Sequence, residues 1–144
     1  MAAASVRILV VDDFEPWRRC LCSFLQKNPA WQIICEASDG LEAVEKSREL
    51  QPDLILLDVG LPTLNGIEAA KQIRKVSPRS KIVFLSENTC LEVVREALRV
   101  GGYGYVVKSD AAGDLVLALD AAIANQQFVG RRFLACGLLD DAAD

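Results

Sequence analysis

Histidine is absent from this 144-residue sequence, and this absence narrows the chemistry that the chain can perform. Without it there is no histidine-based acid–base catalysis and no Ser-His-Asp triad. The five cysteines are scattered and form no Cys-x-x-Cys pair, so we expect reduced, mostly buried thiols rather than a zinc site. Any chemistry must therefore use carboxylates, hydroxyls and amines.

Basic residues and long apolar runs are also scarce. Sixteen Lys and Arg against twenty Asp and Glu give a net charge of −4, which argues against nucleic-acid binding by this chain. No stretch approaches the roughly 18–20 uninterrupted apolar residues of a membrane span. The apolar opening up to Val11 lacks a cationic leader and a cleavage site. We therefore expect a cytoplasmic protein with neither a DNA nor a membrane partner.

Apolar runs of strand length alternate with amphipathic stretches of helix length up to about residue 125. This alternation is typical of βαβ units on a parallel sheet, and five units fit. In the first helix, Trp17, Leu21 and Phe24 recur at helical spacing. The predicted strands are residues 6–11, 32–37, 53–57, 81–85 and 103–107, and the predicted helices are residues 15–27, 41–49, 66–76, 90–100 and 112–125.

The domain organisation predicted from this pattern is simple. Residues 1–125 form one α/β domain, a size that suits a single core. Residues 126–144 resemble a tail or the start of a linker, and the apolar residues Phe128, Phe133, Leu138 and Leu139 leave a packing role open.

Polar residues follow four of the predicted strands. They are Asp12 with Asp13, Asp58, Ser86 and Lys108. Each alone would more commonly be a turn former, a helix cap or a solvated loop residue. The carboxyl ends of parallel strands share one edge, where open α/β sheets bind ligands, so these side chains should converge. Their coincidence favours a binding site.

Three converging carboxylates need a compensating positive charge. At ~4 Å each pair repels by about 4 kcal/mol with an effective dielectric constant near 20. An oxygen-only ligand set completed by water is typical of Mg²⁺, which uses one or two carboxylates plus substrate phosphate. Lys108 adds a permanent cation.

The same residues resemble the receiver domain of two-component signalling over about residues 6–125. The resemblance rests on Asp12-Asp13, the run Asp-Leu-Ile-Leu-Leu-Asp at residues 53–58, Gly60-Leu61-Pro62, Asn65-Gly66, Ser86 and residues 105–108. It implies a flavodoxin-like, doubly wound sheet of five parallel strands in the order 2-1-3-4-5, with five helices. Lys108-Ser109-Asp110 resembles receivers that precede a LuxR-type helix-turn-helix, with Ser109 or Asp110 capping the last helix.

The resemblance also implies roles for the acidic residues. Asp58 would receive a phosphoryl group from a phosphohistidine. Asp13 and Asp58 would ligate Mg²⁺ together with the main-chain carbonyl of Gly60, and Asp12 would orient metal-bound water.

Three further residues would stabilise and transmit the phosphoryl group. Lys108 would neutralise its charge, and Ser86 would donate a hydrogen bond to it. Tyr105 would turn inward once Ser86 is engaged, which changes the surface of the fourth helix, fifth strand and fifth helix.

The resemblance implies a signalling phosphoacceptor rather than a conventional enzyme, although it would catalyse its own phosphoryl transfer and dephosphorylation. The expected partner is a sensor histidine kinase or a phosphotransfer protein, and a homodimer is left open. The chain would be a stand-alone receiver, or a receiver from a transcriptional regulator whose DNA-binding domain lies outside this sequence.

Three other classes of protein share part of this pattern. A phosphatase that forms an aspartyl-phosphate would need an acid two residues after Asp58, and that position is Gly60. A nucleotide- or flavin-binding module is disfavoured because the glycine-rich residues 101–104 lead into a strand and no P-loop is present. An inactive receiver used only for protein contact is disfavoured by the presence of Asp13, Asp58, Ser86 and Lys108 together.

Overall fold

Six parallel strands form the central sheet of the computed structural model, which describes residues 5–136. Their order is β2-β1-β3-β4-β5-β6. The five predicted strands and their order are confirmed, with β2 at one edge, but the predicted strand count was one short. The strands are β1 (Val6–Val11), β2 (Trp31–Ala37), β3 (Leu54–Leu57), β4 (Lys81–Ser86), β5 (Gly104–Val107) and β6 (Phe128–Val129).

Among residues 5–136, five α-helices cover the two faces of this sheet, as predicted. Two short 3₁₀ helices, Lys108–Asp110 and Arg131–Cys136, add to them. The α-helices are α1 (Glu15–Gln26), α2 (Gly40–Leu50), α3 (Gly66–Val76), α4 (Leu91–Arg99) and α5 (Ala111–Ile123).

The core lies in two layers, one on each face of the sheet. Helices α2, α3 and α4 pack on the face that contains Leu9, Ile55 and Phe84, whereas α1 and α5 pack on the face that contains Ile8 and Leu56. Strand β3 is buried along its whole length. Covering on both faces explains why this strand is continuously apolar rather than alternating.

A glycine at the start of α3 places that helix directly against the end of β3. A Cβ atom at Gly66 would lie 2.0 Å from the main-chain oxygen of Asp58, so no larger residue fits without a shift of the backbone. Asn65 caps the same helix, because its side chain accepts a hydrogen bond from the Glu68 N–H. These contacts fix the chain around Asp58.

The chain after α5 returns to the sheet. Strand β6 pairs in parallel with β5, and Phe133 in the following 3₁₀ helix is buried. Residues 1–4 and 137–144, at the two ends of the predicted domain and tail, lie outside the described residues. The division into domain and tail at residue 125 stays a prediction.

Two smaller predictions were wrong. Asp110 occupies the N-cap position of α5, but its carboxylate pairs with Arg132 and makes no cap hydrogen bond, and Ser109 likewise accepts from Arg132. All five cysteines are free thiols, but only Cys22 is buried, since Cys20, Cys90 and Cys136 lie on exposed surfaces.

The membrane question has a limited structural answer. Among residues 5–136, each helix is too short or too polar to cross a bilayer.

Candidate functional site

The predicted polar residues meet at the carboxyl edge of the sheet. Asp12 and Asp13 follow β1, Asp58 follows β3, Ser86 ends β4, and Lys108 follows β5. Four of the five line one open cavity, and Asp12 lies beneath them, 2 % exposed. The parallel strands therefore bring together side chains up to 96 positions apart, from Asp12 to Lys108.

Three carboxylates form the acidic part of this site. One oxygen from each of Asp12, Asp13 and Asp58 lies within 4.8 Å of the others. Asp12 and Asp58 are buried, whereas Asp13 is exposed to solvent. This oxygen-only set has one solvent-facing member, and it fits a hard divalent cation that keeps water ligands. Gly60 lines the same cavity.

Lys108 is the cation of the site. Its Nζ lies 2.6 Å from Oδ2 of Asp12 and 3.2 Å from Oδ2 of Asp58. Burial opposes the charged form of this lysine, but the hydrogen bond to Asp12 and the two carboxylate charges outweigh it and raise the pKa of Lys108. The lysine is therefore charged, and it partly neutralises the two buried aspartates.

The Asp12 carboxylate is fixed by further contacts. Its Oδ1 accepts a hydrogen bond from the Phe14 N–H at 2.9 Å. The main-chain oxygen of Asp12 accepts a second one from the Arg18 side chain at 2.6 Å. Burial raises the pKa of Asp12, and the hydrogen bonds from Lys108 and Phe14 only partly offset this effect. Asp12 is thus held in place and is poorly exposed to ligands.

The Asp58 carboxylate is held from two sides. Oδ2 contacts Lys108, while Oδ1 accepts a hydrogen bond from the Gly60 N–H at 3.3 Å. Asp58 is 8 % exposed and lines the cavity. A buried carboxylate with an open approach and an adjacent cation can act as a nucleophile toward a phosphoryl group.

Ser86 and Tyr105 are linked through one loop residue. The Ser86 hydroxyl accepts a hydrogen bond from the Asn88 N–H at 3.2 Å, and the Tyr105 hydroxyl donates to the Asn88 carbonyl oxygen at 2.8 Å. Tyr105 is fully buried. Burial raises its pKa to about 12, and the Ser86 hydroxyl offsets part of this effect. The inward position, expected after phosphorylation, is therefore already present in this structure.

Two contributors to the site escaped the sequence analysis. Lys108 Nζ lies 5.6 Å from the ring centroid of Trp17, which also lines the cavity, within the range of a cation–π contact. Asn88 connects Ser86 to Tyr105 through its backbone. The sequence places Trp17 in the apolar stripe of α1 and shortly after Asp13, but it does not indicate the contact with Lys108. No side-chain pattern could show the role of the Asn88 backbone.

The sheet is doubly wound, and its carboxyl edge holds a lysine, a hydroxyl and a largely buried aspartate that lines an open cavity. These features are typical of a phosphoacceptor domain. The comparisons with known proteins agree: residues 8–120 match the family model of the response regulator receiver domain. The chain belongs to this family, the receiver domains of two-component signal transduction.

Relatives within the family have different lengths. The chain is 37 % identical over 114 residues to the chemotaxis protein CheY of Thermotoga maritima, which covers 79 % of this chain and 94 % of that protein. It is 37 % identical over 117 residues to the transcriptional regulatory protein LiaR of Bacillus subtilis. This match covers 81 % of the chain and 56 % of LiaR, so the chain spans about half of that regulator.

A solved structure also resembles almost the whole chain. A LuxR-family two-component response regulator from Aurantimonas sp. SI85-9A1 superimposes with a TM-score of 0.87 at 28 % identity. The match covers 98 % of this chain and 100 % of that one. The predicted similarity to receivers of the LuxR type is confirmed.

Proposed function

We propose that Asp58 is the phosphoacceptor of this receiver domain. One carboxylate oxygen forms a bond to phosphorus while the bond between phosphorus and the donor breaks, and the donor leaves with that electron pair. The donor is a phosphohistidine on a sensor histidine kinase or phosphotransfer protein, or a small phospho-compound. The observation that carries the proposal is a buried Asp58 that contacts Lys108 and opens to the cavity.

Mg²⁺ is the proposed cofactor. Asp13, Asp58 and the Gly60 carbonyl would hold it, and Asp12 would orient its water. The cluster of three carboxylate oxygens within 4.8 Å supports this assignment. When bound, the ion would supply positive charge to the phosphoryl oxygens and screen the mutual repulsion of the carboxylates.

Lys108, Ser86 and Tyr105 have distinct proposed roles. Lys108 stabilises negative charge on the phosphoryl group, and Ser86 donates a hydrogen bond to it. Ser86 can donate this bond while its oxygen still accepts from the Asn88 N–H, so a shift of Ser86 toward the phosphoryl group would move Asn88 and, through the Asn88 carbonyl, act on Tyr105. The surface of α4, β5 and α5 then responds. Differential contacts of this kind are what shift a two-state equilibrium.

The wider setting is also a proposal. LiaR is described as a transcriptional regulatory protein, and this chain matches only part of it. We propose that the chain serves a regulator of that kind in the cytoplasm, without itself binding DNA. Its net charge of −4 supports this view. Formation of a homodimer is a further element of the proposal.

Intact-mass measurement after treatment with acetyl phosphate and Mg²⁺ tests the phosphoacceptor. We expect one phosphoryl adduct on the wild type and none on Asp58→Asn. The control is Asp120→Asn, which removes one charge at an exposed position of α5 and should still be phosphorylated. An adduct that persists in Asp58→Asn would move the acceptor elsewhere.

A further inference from the structure

The chain after α5 forms a hydrogen bond to the backbone of Tyr105, the residue proposed to transmit phosphorylation. We call residues 128–136 the docking segment. The Gly130 N–H donates to the main-chain oxygen of Tyr105 at 2.8 Å, and the Phe128 N–H donates to that of Tyr103 at 2.9 Å. Strand β5 would otherwise end the sheet, so the docking segment occupies its open edge.

A side-chain contact connects the docking segment to the Tyr105 ring. Phe133 is 4 % exposed, and its ring lies edge-on to that of Tyr105, with 6.2 Å between the centroids. On its other side, Tyr105 stacks on Phe84 at the same centroid distance. The next residue, Leu134, is 57 % exposed. Phe133 is therefore the residue of its 3₁₀ helix that packs against the buried tyrosine.

Two arginines anchor the docking segment to the start of α5. Arg131 Nε lies 2.8 Å from Oδ1 of Asp114, a carboxylate that is 2 % exposed. Arg132 binds both carboxylate oxygens of Asp110 at 2.6 and 3.0 Å. A buried carboxylate without a cation is costly, so the Asp114 side chain itself favours the docked position.

Two glycines leave room for the docking segment. A Cβ atom at Gly104 would lie 3.1 Å from the Phe128 carbonyl oxygen, and one at Gly113 would lie 2.7 Å from Nη2 of Arg131. Both positions lie on the surfaces of β5 and α5 that the docking segment covers. At Gly104 the near atom is backbone, so a larger side chain there would press on β6, whereas the guanidinium of Arg131 could move to accommodate one at Gly113.

We propose that the docking segment holds Tyr105 in its buried position through Phe133, and that docking and phosphorylation of Asp58 stabilise each other. This inference rests on the proposed function, because Ser86 and Asn88 connect the phosphoryl site to Tyr105. If the phosphorylated state favours the buried tyrosine, it also favours the surface on which Phe133 packs. Thermodynamic linkage then requires the docked segment to favour the phosphorylated state by the same factor.

The edge of β5 is thus occupied by a segment of the same chain. This is the docking segment, so phosphorylation changes how firmly the segment is bound rather than exposing a bare sheet edge.

Hydrogen exchange with the phosphoryl mimic beryllofluoride and Mg²⁺ tests the coupling in the full chain. In the wild type, the mimic should slow exchange at the Phe128 and Gly130 amides. Loss of an edge-on aromatic pair corresponds to a roughly three- to tenfold change in an equilibrium constant. Phe133→Ala should therefore lower the affinity for beryllofluoride by that factor, which ¹⁹F NMR measures. Leu134→Ala is the matched control and should behave like the wild type, while Phe133→Leu should recover part of the effect.

The outcomes separate this inference from the proposed function. If Asp58 accepts the phosphoryl group by intact mass but exchange at both amides is unchanged by the mimic, the coupling is wrong and the phosphoacceptor stands. Equal mimic affinities for Phe133→Ala and Leu134→Ala also overturn the coupling. If neither adduct nor mimic forms on Asp58, the proposed function fails and the coupling falls with it.

Discussion

Replacing Asp58 by asparagine should make the protein more stable while it abolishes phosphorylation. The cluster brings three acidic side chains together, Lys108 is the cation that contacts both Asp12 and Asp58, and Asp58 is 8 % exposed. Asparagine keeps the size of the side chain and an oxygen that can accept the Gly60 N–H, but it removes one charge.

Distances in the cluster set the size of this effect. At an effective dielectric constant near 20, the attraction between Lys108 and Asp58 across 3.2 Å is about 5 kcal/mol. Asp58 and Asp12 have carboxylate oxygens at most 4.8 Å apart, so their repulsion is at least about 3.5 kcal/mol. Asp13 also repels Asp58, but this repulsion is smaller because solvent screens the exposed Asp13 carboxylate. Attraction and repulsion therefore nearly cancel. Since asparagine is also spared the several kcal/mol that burial of a charge costs, we expect a net stabilisation of about 1–3 kcal/mol.

Denaturant and thermal unfolding in EDTA measure this difference. A gain of that size should raise the Tm by roughly 3–10 °C for a domain of this length. Asp120→Asn, at an exposed position, should change stability by less than about 0.5 kcal/mol. Added Mg²⁺ should then stabilise the wild type more than Asp58→Asn. An Asp58→Asn protein that is less stable than the wild type in EDTA would show that the lysine attraction dominates and would refute this reasoning.

Three other predictions concern the metal, the switch and the buried tyrosine. Mg²⁺ should bind weakly without phosphate and should change Trp17 fluorescence, because the indole lies beside Lys108. Unchanged fluorescence in the wild type, together with equal Mg²⁺ binding by Asp13→Asn, would contradict the metal site. Ser86→Ala should still accept a phosphoryl group on Asp58 but transmit it poorly, since a charge-assisted hydrogen bond contributes roughly 1.5–3 kcal/mol. If residues 92–108 of Ser86→Ala respond to beryllofluoride in NMR spectra as those of the wild type do, Ser86 does not transmit the signal. The raised pKa of Tyr105 means that the folded protein holds this proton more tightly than the unfolded chain, so the free energy of unfolding should fall as the pH rises from about 10 to about 12. Tyr105→Phe should remove that part of the pH dependence, and an unchanged profile would contradict the assignment.

The sheet and the residues at its edge were predictable because they depend on local patterns. Continuous apolar runs mark buried parallel strands, and the polar residues that end them must share an edge. The sequence alone therefore predicts that five polar side chains lie together: Asp12, Asp13, Asp58, Ser86 and Lys108. Burial, distances and hydrogen-bond partners depend on packing, so they required the structure.

The chain after α5 was not predictable for a physical reason. Strand β6 has only two residues, too few to show a period, and its pairing depends on the nearby edge of β5. Asp110 resembles a helix cap in the sequence, but Arg132, 22 residues later, takes its carboxylate instead. Such long-range ion pairs leave no local pattern.

The ion pair between Arg131 and Asp114 has a consequence for shortened forms of the protein. A chain cut at residue 125 would keep Asp114 but lose its cation, and it would lose the strand that covers β5. The carboxylate would then have to recruit water in place of the guanidinium, and the uncovered strand could pair with a second molecule. A fragment of that length should therefore unfold more readily and self-associate through β5, so dimers seen with it would report the cut rather than the intact chain.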